Sequence, residues 1–102
     1  MRNIKLTLAY DGAEFHGWQI QPGRRTVQAS LLDVVERVVG SRTIVHGAGR
    51  TDAGVHALGQ VANFHAESRL SPAEFQRAFN ALLPAAIRVI DAEEVEPRFH
   101  SR

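Results

Sequence analysis

Two segments with helical periodicity, each fenced by its own start and stop residues, constrain this chain more than any other feature. Val27, Leu31, Val34, Val35 and Val38 recur at the spacing of one helical face, with Thr26 placed as an N-cap and Gly40 as a stop. Ser71-Pro72-Ala73-Glu74 opens the second segment with Ser at the N-cap, Pro at the first helical position and Glu placed for a capping box. Phe75, Ala78, Phe79 and Leu82 then share a face, and Pro84 ends it. Helices are therefore predicted over 26–39 and 71–83. The segments around them follow a period of two instead. Ile4, Leu6, Leu8 and Tyr10 alternate with polar or small residues up to the turn signal Asp11-Gly12. Thr43 to Val45 predicts a short strand. Val55 to Ala66 predicts a long one, with Val61 on one parity and Ala62, Phe64 and Ala66 on the other. Ile87 and Val89 begin a last strand that runs to about Val95, ahead of Pro97.

The resulting order, β-α-β-β-α-β, is the split βαβ or ferredoxin-like arrangement. It is an α+β fold with a four-stranded antiparallel sheet and two helices on one face. Val27, Leu31, Val35, Val38, Phe75, Phe79 and Leu82 are expected to be buried against Leu6, Leu8, Val61 and Val89, or their neighbours on the strands. The other face of the sheet is then open to RNA, a partner or another domain. With 102 residues the chain makes one domain, because smaller pieces could not bury a core.

Composition narrows the functional classes. Apolar residues at 44% and charged residues at 23% are those of an ordinary globular chain, not a disordered one. There is no apolar run of about 18 residues, and the alternating start Met1 to Thr7 lacks the pattern of a secretory signal. The absence of Cys removes disulfides, thiolate catalysis and Cys-based metal sites, and fits a cytoplasmic protein. Residues 1–90 carry ten Arg or Lys against seven Asp or Glu, while Asp91, Glu93, Glu94 and Glu96 crowd one short stretch. All but one of the twelve basic residues are Arg, whose planar fork of donors suits phosphate and base edges.

Chemistry concentrates in Gly47-Ala48-Gly49-Arg50-Thr51-Asp52-Ala53-Gly54-Val55-His56. The segment fails as a phosphate cradle. The dinucleotide pattern needs Gly where Asp52 stands, and the Walker pattern needs Lys-Ser/Thr where Val55-His56 follow Gly54. Two readings of the spacing stay open. Asp52 is either a reacting carboxylate on a rigid turn, held ionised or joined to an anionic substrate by Arg50, or a turn residue that caps a backbone N–H. His16, His46, His56, His65 and His100 form no metal-ligand pair, so no metal is expected. Phe15, Trp18, Arg24 and Arg25 make an aromatic-plus-basic loop of the kind that holds single-stranded RNA, unless the aromatics plug the core edge.

Gly49-Arg50-Thr51-Asp52-Ala53-Gly54-Val55-His56-Ala57, followed by Gly59-Gln60-Val61, resembles the catalytic motif of the tRNA pseudouridine synthase A (TruA) family. Tyr10-Asp11-Gly12, Phe15, Gly17-Trp18-Gln19 and Gln21 resemble the family's opening segment, and Arg25-Thr26-Val27-Gln28 its first-helix entry. Asn80-Ala81-Leu82-Leu83-Pro84 with Ile87-Arg88-Val89 resembles its second-helix exit. Phe99-His100-Ser101-Arg102 resembles the start of a further motif, with Ser101 where Ala is usual.

The resemblance implies isomerisation of uridine to pseudouridine at positions 38, 39 and 40 of the tRNA anticodon stem-loop, by a homodimer without metal or organic cofactor. Asp52 takes the place of the catalytic Asp, and Arg50 that of the Arg that helps extrude the target base. Thr51, Arg24 and Arg25 join Arg50 as candidate RNA-binding residues. Family members are more than twice this length and carry a second domain of similar fold. That domain supplies a Tyr against the target base and a basic partner for the Asp, whereas the only Tyr here is Tyr10. Residues 1–102 thus read as the N-terminal, catalytic-Asp domain of a two-domain enzyme, inactive alone. The competing readings are a non-catalytic ferredoxin-like RNA-binding module and a regulatory domain that binds a small ligand or pairs with itself. Asp52 in its motif separates the first reading from both, because plain RNA binding has no need of an anion near phosphate.

Overall fold

The computed structural model describes residues 1–49 and 51–101. Its elements run β1 (Arg2–Tyr10), α1 (Val27–Val39), β2 (His46–Gly47), β3 (Ala57–Ala66), α2 (Pro72–Leu82) and β4 (Ile87–Val95). A single 3-10 turn, Gly12–Glu14, follows β1. The strands form one antiparallel sheet in the order β2-β3-β1-β4. Together these make the α+β, ferredoxin-like arrangement expected from the sequence. No helix among the described residues is long and apolar enough to cross a membrane.

Local chemistry starts both helices. The Thr26 hydroxyl accepts the Ala29 N–H at 3.3 Å, and Gly40 is the C-cap of α1. At α2 the Ser71 hydroxyl accepts the Glu74 N–H at 3.1 Å while the Glu74 carboxylate accepts the Ser71 N–H at 2.9 Å. The Ser71 N–H foremost, with the nearby Ser71 side chain, holds the Glu74 carboxyl below its ordinary pKa.

One face of each element feeds a single core. Ile4, Leu6, Leu8 and Tyr10 of β1 pack with Val27, Leu31, Val34 and Val35 of α1 and with Phe75 and Phe79 of α2. Phe64 of β3 meets both α2 rings at centroid distances of 5.6 and 5.7 Å. Two ladder irregularities shape the sheet, one of them between Leu8 and Tyr10 where β1 pairs with β3. Between β1 and β4 the register slips after Thr7, leaving Ile90 unmatched. There the Asn80 side chain of α2 serves both backbone groups of Val89: its Nδ2 donates to the Val89 carbonyl at 3.0 Å and its Oδ1 accepts the Val89 N–H at 2.8 Å.

Several details depart from expectation. The segment 43–45 is not a strand. The Thr43 N–H is spent on the Glu36 carboxylate and its hydroxyl on the His65 carbonyl, while the Val45 carbonyl takes the Gln28 amide, so the ladder starts only at His46. The long strand begins at Ala57, not Val55. Val61 is half-buried and faces away from the core, whose β3 contribution is Ala62, Phe64 and Ala66. Val38 is half-buried, packed at the margin of that core. Leu82 is 42% exposed, and Leu83, in extended conformation as the C-cap of α2, turns inward to 5%.

The face opposite the helices is also partly covered. Residues 96–101 cross it, fastened to Asn3 and Asn63, both fully buried. Asn63 Nδ2 donates to Asn3 Oδ1 at 3.0 Å, and Asn3 Nδ2 donates to the carbonyls of Glu96 and Phe99 at 3.1 and 2.9 Å. The Ser101 N–H completes the set on Asn63 Oδ1 at 3.1 Å. Each buried amide thus has partners, which is the condition for keeping it inside.

The inward turn at Leu83 sets a test. Leu83→Ala is expected to destabilise the domain by about 2–5 kcal/mol. Leu82→Ala should cost less than about 1 kcal/mol. Urea midpoints of the two variants check the order, which the helical periodicity alone would reverse.

Candidate active site

The loop between β2 and β3 is built against the loop that follows β1. Gly12 lies so close to Val55 that a Cβ there would fall on the Val55 carbonyl. Gly17, at φ 79°, packs on the same loop: a Cβ there would stand 2.4 Å from the Thr51 carbonyl oxygen and 3.2 Å from the Asp52 carbonyl carbon. Main chain meets main chain through hydrogen bonds as well. The Trp18 N–H donates to the Thr51 carbonyl at 3.0 Å and the Gly54 N–H to the Phe15 carbonyl at 3.2 Å. The Val55 N–H closes a turn onto the Asp52 carbonyl at 3.1 Å.

Side chains add further ties. The Tyr10 and Thr51 hydroxyls lie 2.8 Å apart, one donating to the other. His56 Nδ1 accepts the Gly12 N–H at 3.0 Å and also lies 3.1 Å from the Asp11 carboxylate. The first contact needs a lone pair on Nδ1 and the second a proton, so His56 satisfies one at a time. At the root of the loop, Gln60 Nε2 donates to the Gly49 carbonyl at 2.7 Å and the Ala48 N–H to the Val61 carbonyl at 2.8 Å.

On this frame Asp52 is exposed, and its carboxylate makes no hydrogen bond or ion pair among the described residues. The spare turn role, capping a backbone N–H, is therefore not what its side chain does here. Its carbonyl holds the turn, and among the described residues its carboxylate has no partner. Thr51, immediately before it, is half-buried with its hydroxyl directed to Tyr10. Arg50, the expected partner of Asp52, lies outside the described residues.

The aromatic-plus-basic loop separates by residue type. Phe15 and Trp18 are buried in the core and do not form a surface stacking platform. Arg24 and Arg25 are exposed. Arg25 stacks over the Phe15 ring at 4.7 Å and meets the Glu14 carboxylate at 3.3 Å. Its carbonyl accepts the His16 N–H at 2.7 Å, next to Gly17 and therefore close to the Asp52 loop. Among the described residues no group of three or more His, Asp or Glu is placed to hold a metal ion. Tyr10, Gly12, Gly17 and His56 stood in the sequence as motif letters without a role. Their partners lie some forty residues away, and no local pattern could have found them.

Fold and loop together define the class: a ferredoxin-like α+β domain with an exposed carboxylate, unpartnered among the described residues, on an inter-strand loop whose residues 51–55 bond to the loop after β1. The family model described as tRNA pseudouridine synthase matches residues 7–102, and the chain belongs to that family. It is 53% identical over its whole length to the tRNA pseudouridine synthase A of Maridesulfovibrio salexigens, covering 38% of that protein. It is likewise 53% identical to the one of Solibacter usitatus and 50% to the one of Brachyspira hyodysenteriae, covering 42% and 41% of them. The chain thus spans about two fifths of the length of these curated relatives.

The contact between the loops can be tested at one atom. Gly12→Ala is expected to cost about 1–3 kcal/mol, because the added methyl forces the Val55 main chain away. Gly59→Ala, where nothing lies within 4 Å, should change stability by less than about 0.5 kcal/mol. Thermal melts of both variants, with amide exchange at Val55, check the difference.

Proposed function

We propose that this chain is the N-terminal, Asp-bearing domain of a two-domain enzyme that isomerises uridine to pseudouridine in the anticodon stem-loop of tRNA, at positions 38–40. The observation that carries the reading is Asp52: a carboxylate left free on a loop that every neighbouring contact holds in place, in a chain of the tRNA pseudouridine synthase family. A group that caps or pairs within the fold would be spent, whereas this one is available to a substrate.

The chemistry follows from one carboxylate. The target uridine leaves the stack before its C1′–N1 bond can be reached. Asp52 then acts on the sugar, by attack on C1′ or by removal of the C2′ proton. In either route the N1 bonding electrons leave with uracil as a delocalised anion, so no strong general acid is needed. The freed base turns and rebonds through C5, which expels the Asp52 carboxylate from C1′ in the first route and is matched by return of the proton to C2′ in the second; C5 then loses its proton and N1 gains one. Arg50 enters the RNA at the vacated position. Arg24 and Arg25 complete the RNA-facing set in this reading, with Arg25 prepared by its stacking on Phe15.

The cleaved base has to be kept from water while it turns, and an exposed loop cannot do that alone. The second domain is the proposed cover. The enzyme acts as a homodimer in the cytoplasm, where its tRNA substrate is, and exposed Val55, Leu58 and Ile90 offer apolar surface for such contacts. It uses no metal or organic cofactor.

Two outcomes are expected. In the full-length enzyme Asp52→Asn, nearly isosteric but neither nucleophile nor base, lowers pseudouridine formation by about a thousandfold or more, with tRNA binding nearly intact in a filter assay. Retention of most of the turnover would sink the assignment. Residues 1–102 alone, incubated with unmodified tRNA, form no pseudouridine over many hours and bind tRNA weakly, with affinity that falls steeply as salt rises. Multiple turnovers by the isolated chain would show that the second domain is dispensable.

A further inference from the structure

Asp52 is separated by one peptide plane from a residue that is pinned twice. The Thr51 carbonyl accepts the Trp18 N–H, and the Thr51 hydroxyl meets that of Tyr10. Tyr10 is the last residue of β1 and is 4% exposed. Across the ladder its partner is Ala57, the first residue of β3 and the exit of the loop. One residue therefore ties the Asp52 segment on both sides: the Tyr10 backbone stands opposite Ala57 after it, and the Tyr10 phenol reaches Thr51 just before it. With the Asp52 carbonyl holding Val55, the main chain on either side of the carboxylate is fixed, and only its own side-chain torsions are free.

We propose that Tyr10 and Thr51 form a positioning pair that holds the Asp52 carboxylate at its reacting distance, and that the Thr51 hydroxyl serves this pair and not the RNA. The inference rests on Asp52 being the reacting group. Three observations support it. The Tyr10 phenol oxygen is carried by a buried ring, so it cannot reach an RNA ligand without leaving the core. Thr51 is half-buried while its neighbour Asp52 is exposed, which separates the roles of the two residues along the chain. Finally, a carboxylate on a loop gains reactivity from the fixation of its backbone, because small displacements of a reacting group cost rate steeply.

The test is kinetic and uses the full-length enzyme with unmodified tRNA. Tyr10→Phe and Thr51→Val each remove one hydroxyl from the pair. Each is expected to lower kcat about ten- to a hundredfold with KM for tRNA unchanged. The double variant should be no slower than the slower single, because both remove the same bond. Thr51→Ser, which keeps the hydroxyl, should recover most of the turnover lost in Thr51→Val. A general loss of fold would not be repaired by that oxygen.

Unchanged kcat in Tyr10→Phe overturns the proposal. So does a raised KM at constant kcat in Thr51→Val, which would make Thr51 an RNA contact. Asp52→Asn, run in parallel, keeps the two readings apart. If it is inactive while Tyr10→Phe is as fast as the parent, only the positioning role falls; if it is fully active, Asp52 is not the reacting group and the pair has nothing to position.

Discussion

The close approach of the loop after β1 to the loop between β2 and β3 is possible only because β1 is a central strand, paired on one side with β3 and on the other with β4. That placement fixes Tyr10 and therefore sets where Gly12 and Gly17 emerge. The glycines bring main chain within hydrogen-bonding reach of main chain, and the inter-strand loop inherits the rigidity of the sheet. Without this, Asp52 would stand on a long surface loop with freedom in every torsion. With it, a residue exposed to solvent has main-chain hydrogen bonds at its own carbonyl and at that of the residue before it.

Much of this was legible in the chain because it is written locally. The helices follow from Thr26, Ser71 and Glu74, which act within one turn of themselves, and from apolar spacing that needs no partner. The strands at either end follow from their alternation. What was hidden depends on distant residues. The edge strand moved because Glu36, Gln28 and His65 claim the groups of 43–45, from 7, 17 and 22 residues away. Leu82 and Leu83 exchanged places because helical periodicity loses its meaning once the C-cap turns extended. Asn3 and Asn63 read as ordinary strand polars, yet each completes the other and holds residues 96–101 on a face expected to be bare. At the site, the motif around Asp52 marked the carboxylate, but the residues that hold it came from the other end of the loop contact.

Charge is arranged with the same economy. The acidic stretch after residue 90 lies on β4, where Glu93 meets Lys5 at 3.2 Å and Glu94 meets Arg2 at 3.1 Å. Pairs this exposed contribute at most about 1 kcal/mol each. Their effect is one of placement: the acids are matched at the β1–β4 side of the sheet, and Arg24 and Arg25 lie apart from them, on the loop that leads into α1.

The central position of β1 carries a consequence for synthesis. Of the elements described, β1 precedes all others, and both of its neighbours are encoded far downstream, at 57–66 and 87–95. The amide of Asn3 waits longer still, for Glu96 and Phe99. Of the elements described, only α1 can form from what emerges early, and it has no completed sheet to pack on. A nascent chain therefore carries an apolar strand, Ile4 to Tyr10, with both edges unpaired until most of the domain has left the ribosome, and its native contacts close long loops. The feature that makes the Asp52 loop rigid in the finished molecule is the same one that leaves the unfinished chain open to pairing with other strands.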